Sequence, residues 1–293
     1  MDIEKCRALL CAVEKNNLSE AASELGYTPS GISRMMATLE SEMGLKLLIR
    51  NRRGITPTRE CKDLLPAIRE VVRSGDRLEQ EVSEIGGAIT GDVEIATAYS
   101  SYYKLLSGII RDFGRLYPGI RVGIQEGRSS LLMRGIEDRS LDFCVISKRS
   151  GTCEWIPLFD DEMIAWVPDD HPAVSKKKFR IRDFSEEPFI TIYPGRETDT
   201  SIVFEKHGVV PNTKHTTSDT YAAYSMVEAG LGVTVVNALY ADLWHGKVKA
   251  LPLEPRVSIP IGIAVTKKDS ISPAAKRFRD FAVVRLQKLT ESI

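Results

Sequence analysis

The sequence predicts an α/β chain in three parts: an N-terminal winged helix-turn-helix, a long linker helix, and a two-lobed region of strands and helices. Three observations carry this. Residues 19–44 place two short helical patterns around a glycine turn. Residues 64–85 repeat apolar side chains in steps of four and three, and from Gly91 onward the texture changes to strand–helix alternation. The expected domains are 1–58, 59–89 and 90–293, the last with one lobe at about 90–162 and 267–293 and the other at about 163–266.

The first helix runs from about Ile3 to Lys15, with Ile3, Cys6, Leu10 and Val13 on one face. Ser19 is expected to cap a second helix, in which Ala22 is small enough for another helix to cross close by. Gly26 follows Leu25 where a chain leaving a helix often needs positive φ. Thr28 then caps a third helix, and Pro29 takes its first position, where a missing N–H costs nothing. Ile32, Met36 and Leu39 would face the core with Leu25. The opposite face carries Ser30, Ser33, Arg34, Ala37 and Ser41, short enough to let the backbone approach DNA or able to reach a phosphate or base edge. Plain helical packing also needs a small residue and a turn glycine, so both readings stand on this segment alone.

The chain's 293 residues exceed one average domain, and the 43% hydrophobic content is that of a globular protein. Forty basic residues balance forty acidic ones, so any field for nucleic acid must be local. Lys46, Arg50, Arg52, Arg53 and Arg59 crowd one stretch. Such a run can be a solvated face; directly after a helix-turn-helix it reads as a wing that grips phosphates. Residues 46–50 and 54–56 supply its two short strands, and Thr58 caps the next helix.

In that helix Leu64, Ile68, Val71, Gly75, Leu78, Val82 and Ile85 form an a/d seam, fit either for pairing with a second copy or for lying on its own domain. Pro66 should bend it or weaken its first turns, and Gly86-Gly87 reads as a hinge. Beyond lie strands at Val93–Thr97, Ile120–Glu126 and Leu141–Ser147, alternating with helices at Ser101–Leu116 and near Ser130–Asp138. That order implies a parallel sheet covered by helices. Strands at Met163–Val167, Phe189–Tyr193, Lys214–Thr217 and Val233–Val236, with helices near Thr200–His207 and Thr220–Ala229, make a second lobe. Ile259–Thr266 would return to the first lobe, and Pro273–Leu289 would close it.

Catalytic and metal motifs are missing. The four histidines are scattered, there is no HExxH, P-loop or GxSxG, and Gly230-Leu-Gly232 lacks the third glycine of a dinucleotide loop. Acidic pairs such as Asp160-Asp161 and Glu186-Glu187 read as solvated edges. Five cysteines without CxxC spacing argue against a disulfide framework. Cys144 and Cys153 are close enough in sequence to raise a redox switch, against which stands the inertness of buried thiols. No apolar run reaches the ~18–20 residues that span a bilayer, and Met1–Lys5 lacks a signal peptide's order. No membrane partner and a cytoplasmic location are expected.

A small-molecule site is offered where strands end and helices begin. Ser100 and Ser101 follow the first strand, Arg128 and Ser129 the second, and Ser147 ends the third. Arg196 sits in a loop at a lobe crossing, and Thr220 opens a helix of the second lobe. Hydroxyls with Arg128 and Arg196 suit a carboxylate or another anion, although such residues can equally do no more than cap their helices.

The whole chain resembles the LysR-type transcriptional regulators. The resemblance is carried by Ala21–Ser33, Leu39–Arg50 and Thr58, then by Phe113–Pro118, Leu141-Asp142, His171-Pro172 and Val227–Thr234. It implies a type-2 periplasmic-binding-protein-like effector domain behind the winged helix-turn-helix, and a linker helix that pairs subunits. By position it implies that Thr28, Ser30, Gly31, Ser33 and Arg34 meet DNA, with Arg50, Arg52 and Arg53 at the backbone. Ser100, Ser101, Arg128, Ser129, Ser147, Arg196 and Thr220 would line the effector cleft. The expected partners are operator DNA, further copies of the chain as homodimer or homotetramer, and RNA polymerase. No cofactor is expected, only a small effector. A plain solute receptor and an enzyme on a two-lobed scaffold are the rivals; the 90-residue N-terminal segment and the motif search speak against them.

Overall fold

The computed structural model describes residues 2–51, 54–241, 243–266 and 271–290, with residues 289 and 290 described by their backbone alone. Asp2 caps α1 (Ile3–Lys15) by accepting the Glu4 N–H at 3.0 Å, and Asn16 ends it in the left-handed conformation. The second helix, α2 (Leu18–Glu24), starts earlier than expected. Its cap is Asn17, not Ser19: the extended Asn17 backbone lets its Oδ1 accept the N–H groups of Ser19 and Glu20 at 2.8 and 3.3 Å. Gly26 takes φ +71°, and Thr28 caps α3 (Pro29–Met43) by accepting the Gly31 N–H at 3.1 Å. Ile32, Met36 and Leu39 close over Cys6, Leu9, Ala21 and Ala22, with Leu25 at the margin of that core.

Strands β1 (Leu48–Asn51) and β2 (Gly54–Pro57) form the antiparallel wing, with Leu48 opposite Pro57 and Asn51 opposite Gly54. Gly54 at φ +121° lies against α1; a Cβ there would sit 2.2 Å from the Asn16 carbonyl oxygen, so only glycine fits. The Thr58 hydroxyl donates to the Lys46 carbonyl and accepts the Cys61 N–H, tying wing to linker helix α4 (Arg59–Ile85). That helix continues through Pro66 without interruption. Proline removes one helical hydrogen bond, and burial of Ile68 and Val72 in the N-terminal core offsets the loss.

The effector region is two lobes. In lobe I, β3 (Gly91–Thr97) pairs in parallel with β4 (Ile120–Glu126) and β5 (Phe143–Ser147), crossed by α5 (Tyr103–Leu116) and α6 (Ser129–Glu137). The sheet is mixed, not all parallel. The strand β6 (Glu154–Pro168) runs from lobe I into lobe II: Glu154–Glu162 pairs with β12 (Ser258–Val265), and Met163–Pro168 with β10 (Thr234–Asn237) and β11 (Val248–Glu254). The spacing suggested only the second half of β6, because Asp160-Asp161-Glu162 breaks its apolar run. Asp161 is not solvated as expected; it is buried and accepts from the Tyr102 hydroxyl at 2.7 Å and Asn237 Nδ2 at 3.1 Å.

Lobe II adds α7 (Ala173–Lys176), β7 (Phe179–Arg180), β8 (Phe189–Ile192), α8 (Asp199–His207), β9 (Thr213–Thr217) and α9 (Thr220–Glu228). Because β12 pairs antiparallel with β5, with Val265 opposite Phe143, the chain is back in lobe I from Ser258. Residues 259–266 thus return the chain to lobe I as expected, and the second crossing lies before Ser258 rather than at the 266/267 bound drawn for the second lobe. Helix α10 (Pro273–Thr290) closes lobe I, where Phe278 meets Phe113 edge-on at 4.9 Å.

Candidate functional site

Two sites emerge, one at each end of the architecture. At the N-terminal end, α3 and the wing present a polar face. Ser30 and Arg34 are exposed, Gly31 and Ser33 half-buried, and Thr28 is held by its capping bond with its hydroxyl 3.2 Å from that of Ser30. Arg50 of the wing donates to Ser33 Oγ at 3.1 Å, so wing and α3 form one continuous surface. Arg52 and Arg53 lie outside the described residues. One residue of this unit gave no functional signal in sequence. Glu40, on the inner side of α3, accepts the N–H groups of Leu47 and Leu48 at 2.8 and 3.1 Å and pairs with Lys46 at 2.9 Å. It fixes where the wing leaves the helix. Partial burial pushes its carboxyl up, but Lys46 and the two N–H donors outweigh burial and hold it below the ordinary range.

The second site is a cavity of about 1050 Å³ between the lobes. Arg128, Ser129, Arg196 and Thr220 line it. Arg128 stands at the N-terminus of α6, which no side chain caps, so the helix offers N–H donors to the cavity. Three expected residues are placed differently. Ser100 donates to, or accepts from, the Tyr240 hydroxyl of lobe II at 3.0 Å. Ser101 is buried in the 3₁₀ turn Ser100–Tyr102, and its hydroxyl has no hydrogen-bond partner among the described residues. Ser147 is buried and donates to Asp199 Oδ1 at 2.6 Å.

Asp199 is the residue that sequence reasoning missed. It opens α8 in lobe II, and besides Ser147 it receives Arg149 Nη2 at 2.7 Å and the Tyr99 hydroxyl at 2.5 Å, all from lobe I. Burial and the Asp199 charge push the Tyr99 hydroxyl well above its ordinary pKa, so it remains a donor. Arg149 was legible by the strand-end logic that found Ser147, two residues earlier. Asp199 was not, since its partners lie 50 to 100 residues away. The lining is mixed in charge: Glu126, Glu197 and Glu205 stand with Asp199 among the arginines. Burial and the neighbouring Asp219 raise the Glu126 carboxyl above its usual range. Tyr193, at the lip of β8, holds φ +58°, a conformation rare outside glycine that concentrates at functional sites. Burial drives the Cys144 thiol far above its ordinary value, which disfavours the reactive thiolate.

Residues 3–62 match the bacterial regulatory helix-turn-helix protein, lysR family, and residues 86–287 match the LysR substrate binding domain. The transcriptional dual regulator GltC of Bacillus subtilis is 26% identical over 99% of both chains. The HTH-type regulator YvbU of the same species is 26% identical over 96% of this chain and 98% of its own. Among solved structures, full-length OxyR from Pseudomonas aeruginosa shares the fold at TM-score 0.79 and 17% identity, covering 98% of this chain and 95% of that one. The LysR family regulator CbnR shares it at TM-score 0.66 and 18% identity, over 98% and 99%. Both family domains are matched in order, on a chain whose own residues build the DNA-facing helix and the interlobe cleft: the protein belongs to the LysR family and is a DNA-binding transcriptional regulator, not an enzyme.

Proposed function

We propose that the chain binds operator DNA as an oligomer and responds to a small anionic metabolite held between its lobes. The observation that carries the ligand half is the cavity itself, where Arg128 and the uncapped N-terminus of α6 face Arg196 from the other lobe. A helix N-terminus favours negative charge, and an arginine adds charge-assisted hydrogen bonds. The same helix supports a route to the DNA-binding unit. Its N-terminal end lines the cavity, and the residues just past its C-terminal end hold the linker helix: Asp138 pairs with Arg69 at 3.0 Å and Arg139 with Glu70 at 3.1 Å. A ligand that prefers one lobe arrangement would shift α6 and so bias α4; a ligand indifferent to arrangement would do nothing.

Leu78, Val82 and Ile85 leave an apolar stripe on α4, 61%, 61% and 89% exposed, which suits a second copy of the chain. A solved structure of full-length CbnR with its target DNA has the same fold at TM-score 0.65 and 18% identity, covering 97% of this chain and 100% of that one, which supports DNA as partner. Among the described residues no helix is long and apolar enough to cross a membrane. We place the protein in the cytoplasm because its proposed operator is there, and RNA polymerase is the further partner to test.

The experiment is a gel shift of the full chain on the DNA upstream of its own gene, with a thermal-shift screen of metabolites on the same protein. The reading expects a shifted band, at least one anion that stabilises the chain and alters the shift, and loss of that response in Arg128→Ala. No shift at any protein concentration overturns the DNA half. Stabilising hits that are all neutral or cationic overturn the anion.

A further inference from the structure

We propose that Tyr99, Ser147 and Arg149 form a carboxylate-binding site in lobe I which the chain fills with its own Asp199, a tethered ligand that holds the lobes together until an effector carboxylate replaces it. The last clause rests on the proposed function; the site and its tethered occupant do not.

The three donors converge from separate elements. Tyr99 follows β3, Ser147 ends β5 and Arg149 lies two residues beyond it. Their bonds to Asp199 are 2.5, 2.6 and 2.7 Å, the range of strong charge-assisted hydrogen bonds. The donors are also set in advance. The Tyr99 oxygen accepts the Ser147 N–H at 3.2 Å, which leaves its proton to point at Asp199. Arg149 Nη1 donates to the Lys148 carbonyl at 3.3 Å, which leaves the Nε–Nη2 edge of the guanidinium for carboxylates, Asp199 at Nη2 and Glu197 3.8 Å from Nε. A preset arrangement of this kind binds a carboxylate without reorganising.

Asp199 is delivered with equal definition. Thr198 and Ser201 form a capping box at the start of α8, which fixes the first helical turn and with it the Asp199 backbone. The Arg149 and Asp199 side chains are only 14% and 10% exposed, so the pair is largely removed from water. An interlobe ion pair can also serve as structural glue alone. Two observations favour exchange. Among the described residues the chain passes between the lobes at two points, one within β6 and one before β12, a connection about which two lobes can hinge. Tyr99, Arg149 and Asp199 all border the interlobe cavity, so an external carboxylate can reach the donors. Replacing one carboxylate by another conserves the hydrogen bonds, and the tether lowers the apparent affinity of any competitor by the fraction of time Asp199 occupies the site.

The test uses the full chain, with sodium acetate as the probe and sodium chloride at equal ionic strength as the control. Asp199→Ala empties the site, so its melting temperature should fall by several degrees and recover with acetate at tens of millimolar, but not with chloride. The parent, already occupied, should respond little. Asp199→Asn keeps the shape with a neutral acceptor and should respond between the two. Adding Arg149→Ala should abolish the recovery. The proposal is overturned if acetate stabilises the parent and Asp199→Ala alike, or if Asp199→Ala melts with the parent. Should Asp199→Ala fail to fold, the Asn variant decides: an acetate response no larger than the parent's overturns the site. Acetate probes this donor set alone, so failure here leaves the metabolite screen and gel shift to judge the proposed function separately.

Discussion

Arg73 of the linker helix donates to Asp142 Oδ1 at 3.0 Å, and the Glu94 N–H donates to Asp142 Oδ2 at 2.8 Å, so one buried carboxylate joins α4 to the middle of β3. Burial raises the Asp142 carboxyl, and Arg73 is its counter-charge. Arg73→Ala would leave that charge buried and unpaired. The expected cost is about 2–3 kcal/mol, since a buried group stripped of its partner loses far more than the net worth of the bond. Chemical denaturation should show it. The response of operator binding to ligand should also weaken, because Arg73 lies on the same junction as Arg69 and Glu70. A variant as stable and as responsive as the parent would count against this junction as a link between the units.

Arg34 and Arg50 should fail differently. Arg34 is exposed on the outer face of α3, where a recognition helix reads base edges, whereas Arg50 reaches the surface from the wing. Arg34→Ala should cost ~1–3 kcal/mol on operator DNA and little on random DNA. Arg50→Ala should weaken both, and reduce the salt dependence of binding by about one phosphate contact. Fluorescence anisotropy over a range of salt separates the two. Equal losses on operator and random DNA for Arg34→Ala would remove it from base recognition.

What the sequence disclosed, and what it withheld, follows from how far apart the interacting residues lie. The bounds of α1, the Thr28 cap and the Gly26 turn are local matters of spacing, and each stands where spacing placed it. Ser19 lost the cap to Asn17 because two residues of cap type compete within one turn, and only backbone conformation decides between them. The strand β6 was half-hidden because its acidic centre looked solvated, while Asp161 is satisfied by Tyr102 and Asn237, 59 and 76 residues away. The cleft shows the same limit. Arg128, Ser129, Arg196 and Thr220 sit at helix starts and loops that strand-end logic can find, but the Asp199 contact needs both lobes folded and closed.

The apolar seam of α4 divides in two, and this sets how dimerisation should be tested. Ile68 is 3% exposed in the N-terminal core, so charging it would unfold that unit and say nothing about pairing. Leu78 and Val82 have no such role. Leu78→Glu with Val82→Glu should leave the monomer folded, judged by circular dichroism, and shift light-scattering mass from oligomer to monomer, because charges facing each other across a pairing seam are costly to bury. Ile68→Ala should instead destabilise by about 2–4 kcal/mol with no specific effect on assembly. If the double charge variant keeps the parent's mass, the exposed stripe is not the interface.

Acid should loosen the wing through Glu40. Its carboxyl is held below the ordinary range of about 4.3 by Lys46 and by the N–H groups of Leu47 and Leu48, against the opposing effect of partial burial. A depressed carboxyl contributes stability that is present above its unfolded value and is lost as pH falls through the folded one. Glu40→Gln keeps an acceptor but loses the charge, so at pH 7 it should be less stable by about 1–2 kcal/mol. The gap should close on acidification, because the parent gives up below about pH 4 what the variant never had. Operator affinity at neutral pH should fall with it, since the wing leaves α3 at the bonds Glu40 makes. Melting curves of both proteins from pH 7 to pH 3 check the sign: a gap that stays constant or widens toward low pH means that the Glu40 charge does not hold the wing.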